Sequence, residues 1–155
     1  NLGQNLAHAG FGILMMAVVS NAVYSQERIY NAKVGDDLQI QDYIFNFEKI
    51  EQIEEINYNS LKAHFLLKKD GNTVKTFTPE IRFYSNPPTI TSEASILHKL
   101  FSDIYLVMNV PQDQKSISVR LHIKPFMTIL WIGAAMIVIG GVVSASIRFG
   151  RFNES

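Results

Sequence analysis

Apolar residues fall along this chain in two kinds of pattern. From Asn5 to Val23, "NLAHAGFGILMMAVVSNAV", they run almost unbroken, and from Phe126 to Ile147 they do so again. Between those stretches they alternate. "SLKAHFLLK" puts Leu61, Ala63, Phe65 and Leu67 on one face, and "SISVRLHIK" alternates Ile117, Val119, Leu121 and Ile123 with Ser118, Arg120, His122 and Lys124. A period of two predicts half-buried strands, because successive strand side chains point to opposite faces. Asp70, Gly71 and Asn72 follow the first of these and tolerate the positive φ of a tight hairpin turn. "DLQIQDYIFNF" and "DIYLVMNV" predict further strands, the second apolar enough to be covered on both faces. About six short strands suffice for a small β-sandwich or barrel that packs its own core.

Charge sharpens the boundaries. No Asp, Glu, Lys or Arg occurs from Asn1 to Gln26 or from Pro125 to Ile147. An uncharged helix of about 20 residues rises about 30 Å, enough for the hydrocarbon core of a bilayer. A secretory signal is a poor account of the first run, since no basic segment precedes Leu6. Trp131 near one end of the second run, with Arg148 and Arg151 at the other, suits the two interfacial levels of a span. The fold class expected is membrane α plus soluble all-β: a transmembrane helix over 1–25 carrying His8, a β domain over 26–124, a transmembrane helix over 125–148 and a tail over 149–155. The β domain belongs outside the bilayer, because an open sheet edge cannot face lipid. Two spans put both termini on one side. Charge does not say which, since Lys115, Arg120 and Lys124 precede the second span while Arg148 and Arg151 follow it.

Composition removes several classes of function. A chain of 155 residues with zero net charge has no polybasic attraction for nucleic acid. With no cysteine, disulfides, thiolate metal sites and a cysteine nucleophile are excluded. The first residue is Asn rather than Met, as expected of a fragment or a processed product. In "FEKIEQIEEIN", Ile50, Ile53 and Ile56 recur every third residue, as one or two helical turns would have it, and Glu48, Glu51, Glu54 and Glu55 could be imagined as a metal or acid-base cluster. A solvated loop or strand edge is the reading preferred for such a run of like charge. "NPPT" predicts an extended edge or crossing segment, because Pro87 and Pro88 lack amide donors. No glycine-rich phosphate loop follows a strand, and no self-contained catalytic site is visible in the β segment.

Histidine is the remaining candidate chemistry. His64, His98 and His122 lie in the β segment, where surface or packing roles are expected. His8 differs, because an ionisable residue inside a span is costly unless something accommodates it. On a helix Gln4, Phe11, Gly12 and Met15 share its face, and Gly12 leaves room one turn away for something flat. Haem ligation by a neutral imidazole, an interhelical hydrogen bond and a shallow ring reaching water all remain open. Gly133, Gly140, Gly141 and Ala145 predict close helix packing in the second span, with Gly141 and Ala145 at the favoured spacing, and Trp131 is expected to be an interface anchor.

The order "LAHAG", β segment, "PEIRFY", "TSEASI", "DIYLVM" and "KPFMTILWIGAAMIVIGG" resembles the C-terminal portion of the CcmF family of cytochrome c-type biogenesis proteins, the haem-lyase component. The resemblance runs from His8 to Ala145; Ser92 and Ser95 stand where the family usually has Thr and Ala. It implies a membrane protein that accepts haem from a chaperone and joins it to the Cys-x-x-Cys-His motif of apocytochrome c. It further implies a transmembrane haem b held by two histidines on different spans, with His8 as one axial ligand of the iron. The second histidine, a tryptophan-rich segment and two extracytoplasmic histidines would lie upstream, so this chain alone is not expected to be catalytic.

The same resemblance implies an inner-membrane location, bacterial or mitochondrial. The β domain would then be extracytoplasmic, facing the periplasm or intermembrane space, and the tail cytoplasmic or in the matrix. His8 then lies about 22 Å of helix below Val23, which suits electron supply better than contact with the haem being attached. The β domain is expected either to form an outer platform that docks apocytochrome c with its thiol-handling subunits, by strand addition to "SLKAHFLLK" and "SISVRLHIK", or only to link the spans. The alternative for the whole chain is a non-enzymatic membrane-anchored β module scaffolding a complex.

Overall fold

A computed structural model of the chain describes residues 2–110 and 116–152, the last four of these as backbone only. Lys115 and the tail residues 153–155 therefore lie outside the described residues, as do Asn1 and the side chain of Arg151. Two units are present, one made of residues 1–25, 99–103 and 124–155, the other of 26–98 and 104–123.

The first unit is a helix pair. Helix α1 (Leu2–Tyr24) and helix α2 (Met127–Phe152) are both long and apolar enough to cross a membrane, over Leu2–Tyr24 and Met127–Arg148. Helix α2 continues four residues past Arg148, to Phe152. Both helices are apolar all round, the pattern of an element that meets apolar surroundings on every side. They are antiparallel, with Gly3 against Gly140 and Gly10 against Gly133. A Cβ on Gly140 would lie 2.6 Å from both the Ala7 nitrogen and the Gly3 oxygen. Gly10 is as tight, 2.8 Å from the Gly133 oxygen. Gly3, Gly10 and Ala17, all buried, recur every seven residues, as do Gly133 and Gly140, so one narrow stripe on each helix stays in register with the other. Gly141, which the sequence pairs with Ala145 for close packing, has nothing within 4 Å of where its Cβ would be. The packing stripe lies one residue away from it.

The second unit is a β-sandwich with ten strands among the described residues, more than the pattern predicts. One sheet runs β1 (Gln26–Ala32), β10 (Ile117–Pro125), β9 (Ser102–Met108), β8 (Ser95–His98). The other runs β2 (Asp37–Ile40), β3 (Tyr43–Glu54), β4 (Tyr58–Lys69), β6 (Glu80–Ser85), β7 (Pro88–Glu93), with β5 (Asn72–Phe77) also paired to β4. The strands predicted from alternation become β4 and β10, and their apolar faces meet in one core that contains Ala63, Phe65, Leu67, Val119, Leu121 and Ile123. Phe47 and Phe65 stack there with ring centroids 4.3 Å apart. The turn after β4 is as expected, with Asp70 and Gly71 at φ of 51° and 78°. Residues 43–54 form strand β3 despite the three-residue spacing of isoleucines, and a bulge between Phe47 and Lys49 shifts the facing of everything after it. "NPPT" turns the chain from β6 into β7 through a cis Asn86–Pro87 bond, and Pro88 opens β7, the strand that ends its sheet path.

Candidate functional site

His8 lies on the face of α1 opposite the glycine stripe. Successive helical residues turn by about 100°, so His8 is about 160° from Gly10. The ring is exposed in this chain, as are Phe11 and Met15 on the same face, and a Cβ on Gly12 would meet nothing within 4 Å. Close packing against α2 on one side therefore leaves the histidine face clear on the other.

The ring is held by its own helix. Nδ1 donates to the backbone oxygen of Gln4 at 2.7 Å. A carbonyl oxygen only accepts, so the proton belongs on Nδ1, and a neutral ring then carries its lone pair on Nε2. That atom has no partner among the described residues. A first nitrogen fixed on a backbone carbonyl and a second left as a σ-donor is the arrangement in which histidine binds metals. The donor chemistry and the open space at Gly12 both fit an axial haem ligand. Among the described residues the bond His8 makes is within its own helix rather than to α2.

Several titratable residues of the β unit pair with one another. On the outward face of the larger sheet, His64 Nε2 is 3.0 Å from Glu51, which also binds Lys49. Hydrogen bonds from Lys49 and then His64 hold the Glu51 carboxyl below its usual range. Glu80 is buried; burial alone would raise its carboxyl, but Arg82 Nε at 3.2 Å, the nearby Ser60 hydroxyl and Lys62 at 3.5 Å outweigh it and hold the carboxyl low. The Arg82 guanidinium is correspondingly shifted up, and it lies 5.0 Å from the Tyr58 ring centroid. On the smaller sheet Glu27 bridges Arg120 and His122 at 3.2 and 3.4 Å. The described residues contain no cluster of three or more His, Asp or Glu able to hold a metal ion. Glu51 is an ion-pair partner of Lys49 and His64, and no metal-holding cluster forms from the acidic run among the described residues.

The two strands expected to accept a peptide by edge addition do not have free edges. Strand β4 is flanked by β3 on one side and by β5 and β6 on the other, and β10 lies between β1 and β9. The alternation that marks them as strands also makes them the best-buried centres of their sheets, so their backbone groups are spent on neighbours. The terminal strands of the sheet paths are β1, β8, β2 and β7.

Comparison with known proteins gives a concordant result. Residues 23–125 match the family model described as the CcmF C-terminal beta-sandwich. The chain is 32% identical over 151 residues to the cytochrome c-type biogenesis protein CcmF of Haemophilus influenzae, covering 97% of this chain and 23% of that protein. It is 30% identical over 143 residues to CcmF of Pseudomonas aeruginosa, covering 92% and 22%. A solved structure titled cytochrome c heme lyase CcmF superposes with a TM-score of 0.68 at 15% identity, over 90% of this chain and 23% of that one, and shares its fold. The chain thus spans less than a quarter of the length of these relatives.

Proposed function

This chain belongs to the CcmF family of cytochrome c-type biogenesis proteins, and on that premise we propose that it is the membrane segment of a cytochrome c haem lyase in which His8 is one axial ligand of a transmembrane haem b. The observation that carries the reading is the His8 ring itself, with Nδ1 on the Gln4 carbonyl and Nε2 left with its lone pair. Gln4 fixes the tautomer and aims the ring, Gly12 keeps the adjacent face flat, and the Gly3–Gly10 stripe seats α1 on α2 so that His8 faces the other way. Bound there, such a haem would supply one-electron redox chemistry. The second ligand would come from a histidine on an upstream span of the same lyase.

The partners that follow are a haem chaperone, apocytochrome c with its thiol-handling subunits, and the inner membrane of a bacterium or mitochondrion. In this reading the β unit lies on the periplasmic or intermembrane-space side and the chain ends on the cytoplasmic or matrix side. His8, about 22 Å of helix below Val23, is then placed for electron supply. A second reading, a non-enzymatic membrane-anchored β module that scaffolds the complex, draws on the β unit, which has a hydrophobic core of its own.

The test is the visible spectrum and haem content of the purified intact complex with and without His8→Ala. Loss of the b-type Soret and α-band signal is expected. A variant complex that keeps both haem content and spectrum defeats ligation and leaves the scaffold.

A further inference from the structure

Where the chain passes into α2 it is held in an unusual way. Phe126 has φ of 63°, a left-handed conformation that a bulky side chain rarely adopts, so the surroundings must enforce it. In that conformation its amide donates to the backbone oxygen of Phe101 at 2.7 Å, while its own oxygen accepts the first bond of α2 from Leu130. Two further contacts fix the same level. Asn21 Nδ2 donates to the Pro125 oxygen at 2.6 Å, and the Tyr24 and Phe126 rings meet edge to face at 6.5 Å. The end of α1, the start of α2 and the turn over 99–102, closed by the Lys99 amide on the Ser102 oxygen, are thus tied together within one unit.

That turn carries Leu100 and Phe101, two adjacent large apolar side chains that are 69% and 63% exposed. Tyr24 and Trp131, 64% and 67% exposed, stand at the same ends of the two helices. Helix α1 rises about 34 Å over its length, close to the thickness of a bilayer's hydrocarbon core. Tyr24 and Trp131 therefore fall at a membrane–water boundary, where aromatic side chains concentrate. A turn bonded to the residue just before α2 lies at that boundary too.

We propose that the turn over residues 99–102 is a membrane-contacting foot, whose Leu100 and Phe101 side chains enter the headgroup–acyl boundary of a phospholipid leaflet beside the two helices. Apolar side chains at a turn gain by entering that layer, and backbone groups there still reach headgroups and water. The foot fixes the depth at which the chain leaves the membrane. The inference rests on the reading that α1 and α2 span a bilayer, and the controls separate the two.

The absence of cysteine makes a single-label experiment clean. Nitroxide labels go on Phe101→Cys and, separately, Leu100→Cys, with Asn72→Cys in the β4–β5 turn as an aqueous reference and Ile139→Cys on the exposed side of α2 as a deep one. Each full chain is reconstituted into phosphatidylcholine vesicles, and collision with oxygen is compared with collision with a water-soluble nickel chelate. The foot predicts labels at 100 and 101 with a several-fold higher oxygen-to-nickel ratio than at Asn72, but shallower than at Ile139. Labels that match Asn72, or that are shielded from both reagents by protein, overturn it while Ile139 still reads deep. If Ile139 itself reads aqueous, the spanning reading falls along with the foot.

Discussion

Gly140→Ala tests the contact that orients the candidate site. The added methyl carbon would stand 2.6 Å from the Ala7 nitrogen and the Gly3 oxygen, both backbone atoms that cannot swing aside. Ordinary van der Waals contact begins at 3.4 Å, so the helices must part by about 0.8 Å at this point or lose their register. A gap of that size forfeits a quarter to a half of each dispersion contact along the stripe, and overpacking of this kind costs about 1–3 kcal/mol. Because apolar association has little driving force among lipid tails, close packing is what holds such a pair, and the loss is felt directly. The control is Gly141→Ala, one residue on, where nothing lies within 4 Å. Relief of glycine's helix penalty should leave that variant neutral or more stable by up to about 1 kcal/mol. Both are compared in the full chain in detergent micelles by denaturant-dependent helix loss. Equal stabilities for the two variants would refute the assignment of the stripe to Gly133 and Gly140.

Phe65→Ala removes a fully buried ring stacked on Phe47 and should cost about 3–5 kcal/mol, read from thermal loss of β-sheet circular dichroism; a cost below about 1 kcal/mol contradicts the core described. Glu80→Gln leaves Lys62 and Arg82 facing an uncharged amide, and since both are about a third exposed and can regain water, a loss of about 1–2 kcal/mol is expected in the same assay. Glu51 and Glu80 both titrate below their ordinary value of 4.5 in the folded chain, so the stability they contribute is fully present above that pH and is lost as pH falls through their folded values. The double variant Glu51→Gln/Glu80→Gln should therefore show a flatter acid limb in stability against pH, and an unchanged limb counts against these pairs.

How far the molecule could be read in advance differs between its parts. The strands β4 and β10 announce themselves, because one face of each is repeatedly apolar and a half-buried strand requires that. Strand β1 does not. "QERIYNA" is mostly exposed and owes its conformation to pairing with β10 across the whole of its length, a contact between residues nearly a hundred positions apart. Similarly, Ile50, Ile53 and Ile56 suggest helical turns, yet the first two pair along β4 within strand β3, past the bulge after Phe47, and Ile56 lies beyond the strand. The ion pairs of Glu80 and Glu27 likewise depend on register between strands, which local pattern does not encode.

His8 shows the same division at the site. Its oddness is visible in the sequence because one ionisable ring interrupts a span with no Asp, Glu, Lys or Arg. Which ring nitrogen is tied down is settled by the Gln4 carbonyl one turn back, whereas whether the ring faces α2 depends on which glycines touch.

By itself the sequence determined the two uncharged helical runs and the alternating apolar faces between them, because solvent partition acts on each residue according to its own chemistry. Only the tertiary structure decided that Gly133 and Gly140 rather than Gly141 carry the helix contact, that β4 and β10 are central strands with no edge to offer, and that His8 turns from α2. Those are questions of distance between segments remote along the chain, and close packing settles them to within tenths of an ångström that no local pattern specifies.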